Sequence, residues 1–395
     1  MNKRFMRFVL SFLFVFGGIS SMAFAEGTDV KSNFEDTKKE LESDKSIERF
    51  YDYVNELNLE GELIEGMRVS EYVDKFLDTG ESPVEISAIL KGIVDYMFKE
   101  VGLVFKLLMS VLVITLLSAL LKNLQSAFSS GGISNIAFFA CYALTIMLLT
   151  SSFILGLNIA KNVIQMLIDF MVVLMPVLVF LLSTAGGITS AVTIDPVVVL
   201  LVSLTPKIYI DFIFPMILMY FVLQFVNNLT NEHKISNVCK LVKQIAMWSQ
   251  GIVLTVFVGI IAIRGISANT IDAVTLKTAK FAVDNFVPIV GKSFSDAITT
   301  VAGYSLVLKS AVSSVGLIVV IGIILYPIIK MIMMIFAYRV TSAVIQPVAD
   351  SRMVSAIDSV GDAMTMVLSC VVSISVMFFI IIAIMSSAGR FVVGG

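Results

Sequence analysis

The sequence predicts an all-α fold: a polytopic helical membrane protein of about six to eight spans with a small helical extracytoplasmic domain near its N-terminus. Three observations carry this. Of 395 residues, 57% are apolar and the mean hydropathy is +0.95, more than one water-soluble core can hide, so lipid must solvate much of the chain. Apolar stretches of spanning length recur at about 101–121, 133–158, 163–185, 208–226, 313–337 and 364–388, with a shorter one at 247–263. Charge is concentrated: residues 26–100 hold 9 Lys/Arg against 20 Asp/Glu, a balance of −11 in a chain whose formal net charge is −2. So acidic a segment repels nucleic acid and anionic lipid, which argues against either as its partner.

The first element, residues 1–25, reads as a signal peptide. Lys3, Arg4 and Arg7 precede the apolar run Phe8 to Phe16, and Ala23-Phe24-Ala25 supplies the small-x-small cleavage pattern before Glu26, with Ala23 and Ala25 as the recognised residues. The alternative is an uncleaved anchor, for which the apolar run is short of the ~20 residues a span needs. Either way the following segment is translocated.

Residues 26–100 form the acidic domain. Ile47, Phe50, Tyr51, Val54 and Leu57 fall on one stripe of an amphipathic helix, and Val69, Tyr72, Val73, Phe76 and Leu77 mark a second, stopped near Gly80. Ser82-Pro83-Val84-Glu85 is a capping box with proline at the first helical position, and no breaker follows before Lys122. One helix of roughly 58 Å from Pro83 into the first span is therefore expected. A core of only ~75 residues is marginal alone, so this domain is expected to dock on a partner or on the membrane region.

Residues 101–264 hold the first group of transmembrane helices and 313–395 the last. Between 186 and 226, Asp195-Pro196 reads as an N-cap with proline at N1, and Thr205-Pro206-Lys207 interrupts the apolar run, which allows one kinked helix or a hairpin. Charge favours the hairpin. Asn227 to Gln250 carries Lys234, Lys240 and Lys243 against Glu232, as a cytoplasmic loop does, and an even number of crossings keeps it inside. About eight spans with both mature ends outside follow, at the cost of placing Arg264, Lys277 and Lys280 outside.

Catalytic chemistry finds little to work with. His233 is the sole histidine, HExxH and GxSxG are absent, and Cys141, Cys239 and Cys370 are dispersed as packing residues, so no catalytic, cofactor or metal site is expected and the chain reads as a non-enzyme. Gly291-Lys292-Ser293 resembles the end of a phosphate-binding loop, but position 286 is phenylalanine where that loop needs glycine. Charge inside spans is the other functional signal, because a buried ion must be paired or wet. Asp169, Asp195, Lys207 and Asp211 are the candidates for an intramembrane polar path, against the plainer reading that they sit at helix ends in the headgroup zone. Gly251, Thr255 and Gly259 recur every four residues as a face for close helix contact.

Residues 265–312 are too polar to span and too apolar for an ordinary loop, and read as an amphipathic or re-entrant helical hairpin. Lys277, Lys280 and Asp284 share one face, and Phe294, Ala297, Ile298, Val301 and Leu308 form an apolar stripe after the break at Pro288–Gly291. Such a pair suits lying on a membrane or docking on neighbouring subunits.

The run Thr275 to Ala297, with its Asn285-Phe286-x-Pro288-x-x-Gly291 centre and Asp296, followed by Gly303-Tyr304-Ser305-Leu306 and Leu308-Lys309, resembles the stage III sporulation protein AE family of endospore-forming bacteria. The layout of signal peptide, acidic segment and many spans is similar as well. The resemblance implies a multi-pass component of the channel, or secretion-like complex, that links mother cell and forespore and supports forespore development. It implies a place in the mother-cell membrane around the forespore, with the N-terminal domain extracytoplasmic. The implied partners are the other stage III sporulation A-operon membrane proteins, sporulation protein Q through the complex, the lipid bilayer, and further copies in a homo-oligomer. Lys277, Lys280, Asp284, Asn285, Phe286, Pro288, Gly291 and Asp296 are then the motif and partner-contact residues. Two other functions remain open on the residues alone: a secondary transporter of a small solute, and a purely structural membrane scaffold.

Overall fold

The computed structural model describes residues 44–57, 69–79, 102, 109–110, 112–117, 120, 131–186, 188–229, 235–286 and 291–388. The signal segment with Ala23 and Ala25, most of the helix expected from Pro83, and Pro288 lie outside the described residues. Among the described residues every regular element is helical: α1 (Lys45–Glu56), α2 (Val69–Thr79), α3 (Gly131–Thr184), α4 (Ile188–Ile208), a π-turn (Tyr209–Ile213), α5 (Phe214–Leu229), α6 (Ser236–Phe286), α7 (Gly291–Ile345) and α8 (Ser351–Ser387). Among the described residues five stretches are long and apolar enough to cross a membrane: Phe139–Thr184, Pro196–Leu229, Ser236–Ile263, Thr300–Ile345 and Ser351–Ser387.

α1 bears out the first stripe, and α2 the middle of the second. Asp44 caps α1, its carboxylate accepting from the Ser46 N–H at 2.8 Å, and Ile47, Phe50 and Val54 are buried one turn apart. Tyr72 and Val73 are buried on α2.

Two expectations about the spans are corrected. Segments 133–158 and 163–185 are one helix, α3, because Lys161 and Asn162 lower the local hydropathy without breaking the backbone. A dip in hydropathy is not a turn; only Gly, Pro or an unsatisfied backbone makes one. The second correction is that 186–226 contains no hairpin. α4 runs through the π-turn into α5 as one span, and Pro196 and Pro206 are absorbed within α4. The π-turn explains how Pro215 is tolerated as well. A proline ring clashes with the carbonyl four residues earlier, here Asp211, and the wider turn, in which the Phe214 N–H reaches back to the Tyr209 carbonyl, relieves the crowding. The two corrections offset one another in parity: two crossings replace four between 131 and 229.

Chain reversal happens instead at Ala185-Gly186, where Gly186 takes φ 88°, a left-handed conformation that a side chain would disfavour. α6 ends at Phe286 and α7 begins at Gly291, on either side of the corner read from the sequence. Its arms are continuations of the flanking spans, not separate surface helices. At 54, 51 and 55 residues, α3, α6 and α7 are each about 75–83 Å long, far beyond a ~30 Å hydrocarbon core, so they project well outside it.

Side-chain contacts set the packing order. Ser152 on α3 meets Tyr338 on α7, and Leu174 on α3 would meet a Cβ added to Gly316 on α7 at 2.9 Å, so these helices are antiparallel and closely packed. Gly156 abuts the thioether end of Met364, which brings α3 against α8. Phe153 stacks on Phe221 with centroids 4.1 Å apart, and the Tyr142 hydroxyl donates to the Phe225 carbonyl, joining α3 to α5. α8 is the central helix, with 67% of its apolar window buried, whereas α6 is peripheral at 17%. A peripheral helix with so little apolar burial must be held partly by polar bonds.

Candidate functional site

Polar groups concentrate where α6 and α7 meet α8. Asp358 and Asp362 lie four residues apart, hence on one face of α8. Lys243 on α6 donates to Asp362 at 2.7 Å, and the Arg339 guanidinium on α7 bridges Asp358 and Asp362. The Lys243 ammonium also sits 5.4 Å from the centroid of the Tyr220 ring on α5. Four helices are thus tied through two carboxylates. Further along α8 the contacts continue: Ser355 donates to the Asn228 amide oxygen at 3.1 Å, Ser369 to the Gln250 amide oxygen at 3.0 Å, and the Gln250 NH2 reaches the Cys370 sulfur at 2.6 Å. In lipid such interhelical bonds supply the attraction that apolar surface cannot, at about 0.6 kcal/mol each. Sequence reading missed this cluster because Arg339 lies on α7 and its partners on α8, so no local spacing joins them; the signal was the i, i+4 aspartate pair Asp358 and Asp362 in an otherwise apolar helix.

The recognised motif divides in two. Tyr304, Ser305, Leu308 and Lys309 are buried in α7, and the Lys309 ammonium donates to the carbonyl of Ala388, the C-cap of α8. A cation at a helix C-terminus meets the negative end of its dipole. The first half, Lys277, Lys280, Asp284, Asn285 and Phe286, occupies the end of α6, with Gly291 and Asp296 at the start of α7; the orientation of their side chains lies outside the described residues. Since Lys309 is level with the end of α8, the arm 291–308 extends about 27 Å of helix beyond it.

The acidic helices seat on the half of the bundle that leads to this corner. Phe50 on α1 contacts Phe170 on α3 with centroids 6.3 Å apart, and Tyr53 contacts the same ring at 6.4 Å. The Tyr72 hydroxyl on α2 meets the Ser314 hydroxyl on α7 at 3.0 Å. Burial, then the nearby Asp169 charge, raises the Tyr53 pKa above its usual value.

The remaining predicted residues fall as follows. Asp169 is exposed on α3 and accepts from the Gln165 NH2 at 2.8 Å, beside docked α1. Lys207 and Asp211 are exposed on the α4 and π-turn segment. Asp195 is helical, within α4. Gly251 and Gly259 have open space where a Cβ would stand, so their small-residue face has no close helix against it among the described residues. Also among the described residues, no three His, Cys, Asp or Glu side chains converge as a metal site.

These features define a class: a polytopic helical membrane protein whose extra-membrane helices pack onto its own bundle and whose helices are clasped by ion pairs. Residues 67–389 match the stage III sporulation protein AE family. The chain is also 32% identical over 358 residues to the stage III sporulation protein AE of Bacillus subtilis (strain 168), covering 90% of this chain and 88% of that one. No solved structure matches. The chain belongs to the stage III sporulation protein AE family.

Proposed function

We propose that this sporulation-family protein is a non-enzymatic, multi-pass component of a secretion-like channel complex joining mother cell and forespore, needed for forespore development. In this reading it resides in the mother-cell membrane around the forespore. Its acidic helices and the 265–312 hairpin face the space between the two membranes, where Lys277, Lys280, Asp284, Asn285, Phe286, Pro288, Gly291 and Asp296 meet other A-operon proteins and, through them, sporulation protein Q. The observation that carries the reading is the seating of α1 on Phe170 and α2 on Ser314, in the half of the bundle that leads to the α6–α7 corner. That arrangement supports one composite outer face.

The test is cysteine accessibility in intact sporulating cells, with a membrane-impermeant thiol reagent and single cysteines at positions 240 and 290. Position 290 should label from outside and 240 only after permeabilisation; the reverse pattern overturns the topology. Crosslinkers at positions 277 and 284 should capture complex members, and deletion should abolish mature spores. Normal sporulation without the gene would sink the role outright.

A further inference from the structure

Lys207 and Asp211 lie in the span Pro196–Leu229. A hydrocarbon slab of ~20 residues placed anywhere along 196–229 contains Asp211, and most placements contain Lys207 as well. Among the described residues both side chains are exposed, and neither has an ion-pair or hydrogen-bond partner. Charge at that depth facing lipid is costly, and such residues almost always meet protein or water.

Their surroundings indicate which. Leu200, Leu204, Lys207 and Asp211 are spaced i, i+4, i+7 and i+11, one stripe of a helix, and Met219 and Val222 are also exposed further down the span. Leu200 and Leu204 are 56% and 50% exposed. Spacing by fours and threes is the pattern by which two helices interlock side by side. The stripe also carries one positive and one negative charge a single turn apart. Set two such stripes parallel, about a two-fold axis along the membrane normal, and each Lys207 lies one turn from the opposite Asp211. Both charges on both chains are then paired by the same contact, as an isologous interface requires.

We propose that the face formed by α4, the π-turn and α5 is a homodimer interface within the membrane, closed by two reciprocal Lys207–Asp211 ion pairs. The occupant is a second copy of this chain, since a stripe that is its own electrostatic complement has no need of a different one.

The experiment uses the full chain in its native membrane, with the three native cysteines replaced by serine and Leu204→Cys as the crosslinking reporter. Oxidation should give a disulfide-linked dimer. Lys207→Asp alone places four carboxylates at the contact and Asp211→Lys alone places four ammonium groups there; each should lower the crosslinked fraction about tenfold, and the double exchange Lys207→Asp with Asp211→Lys should restore it. Restoration also shows that the exchanged chain folds, which guards against misfolding of the single variants. The proposal fails if Leu204→Cys gives no dimer, if it crosslinks to a different protein, if the single exchanges leave dimer unchanged, or if the double exchange does not recover it.

Discussion

Lys309 shows how a residue can be conspicuous in a motif and still do its work out of sight. It has no exposed surface, and its ammonium reaches the carbonyl that ends α8. Removing a charged donor from such a site costs about 2 kcal/mol, because the acceptor loses its partner as well. Lys309→Met should therefore lower the thermal stability of the detergent-solubilised protein and expose the α8 C-terminus to carboxypeptidase. Unchanged stability would assign Lys309 some other role. In the sequence this lysine is only the last letter of Leu308-Lys309; that it faces inward depends on which side of α7 the bundle covers. Gly156 is similar: composition does not distinguish it from Gly251, yet Met364 fills its surface and open space surrounds Gly251.

At the scale of the element, α1 and α8 differ in how they are held. α1 is fixed by apolar burial, with Phe50 fully buried against Phe170. Phe50→Ala should cost about 3–5 kcal/mol locally and release α1, read as faster proteolysis within residues 45–56 while the spans stay intact. α8 is fixed additionally by charge. Asp362 serves cations on two helices and Asp358 only one, so Asp362→Asn should loosen α6 and α7 together and reduce accumulation in the membrane more than Asp358→Asn does. Equal effects would mean that the Lys243 bond contributes nothing. The stripes of α1 and α2 were legible because period 3.6 is a local property. Reading 133–185 as two spans and 186–226 as a hairpin failed because both rested on interruptions, Lys161-Asn162 and Thr205-Pro206, that a long helix accommodates.

At the scale of the whole molecule, the five spanning stretches among the described residues pack so that α3, α7 and α8 form a centre and α6 lies at its periphery. Their lengths carry the protein beyond the bilayer, and the acidic helices return to pack on them. The proposed channel role, tested by labelling at positions 240 and 290, and the proposed dimer face, tested by charge exchange, belong to this scale because each concerns contacts beyond a single chain.

By itself the sequence determined the class of protein, the helical stripes, the corner between Phe286 and Gly291 and the family, because hydropathy, periodicity and motif residues are properties of neighbours along the chain. Only the tertiary structure decided that 133–185 is one helix and 188–229 one span, that Lys309 is buried, that Lys243, Arg339, Asp358 and Asp362 form one cluster, and that Lys207 and Asp211 are exposed. The physical reason is the same in each case. Whether a charge is paired, buried or exposed depends on which face of its helix meets another, and a helix presents every face equally until its neighbours choose one.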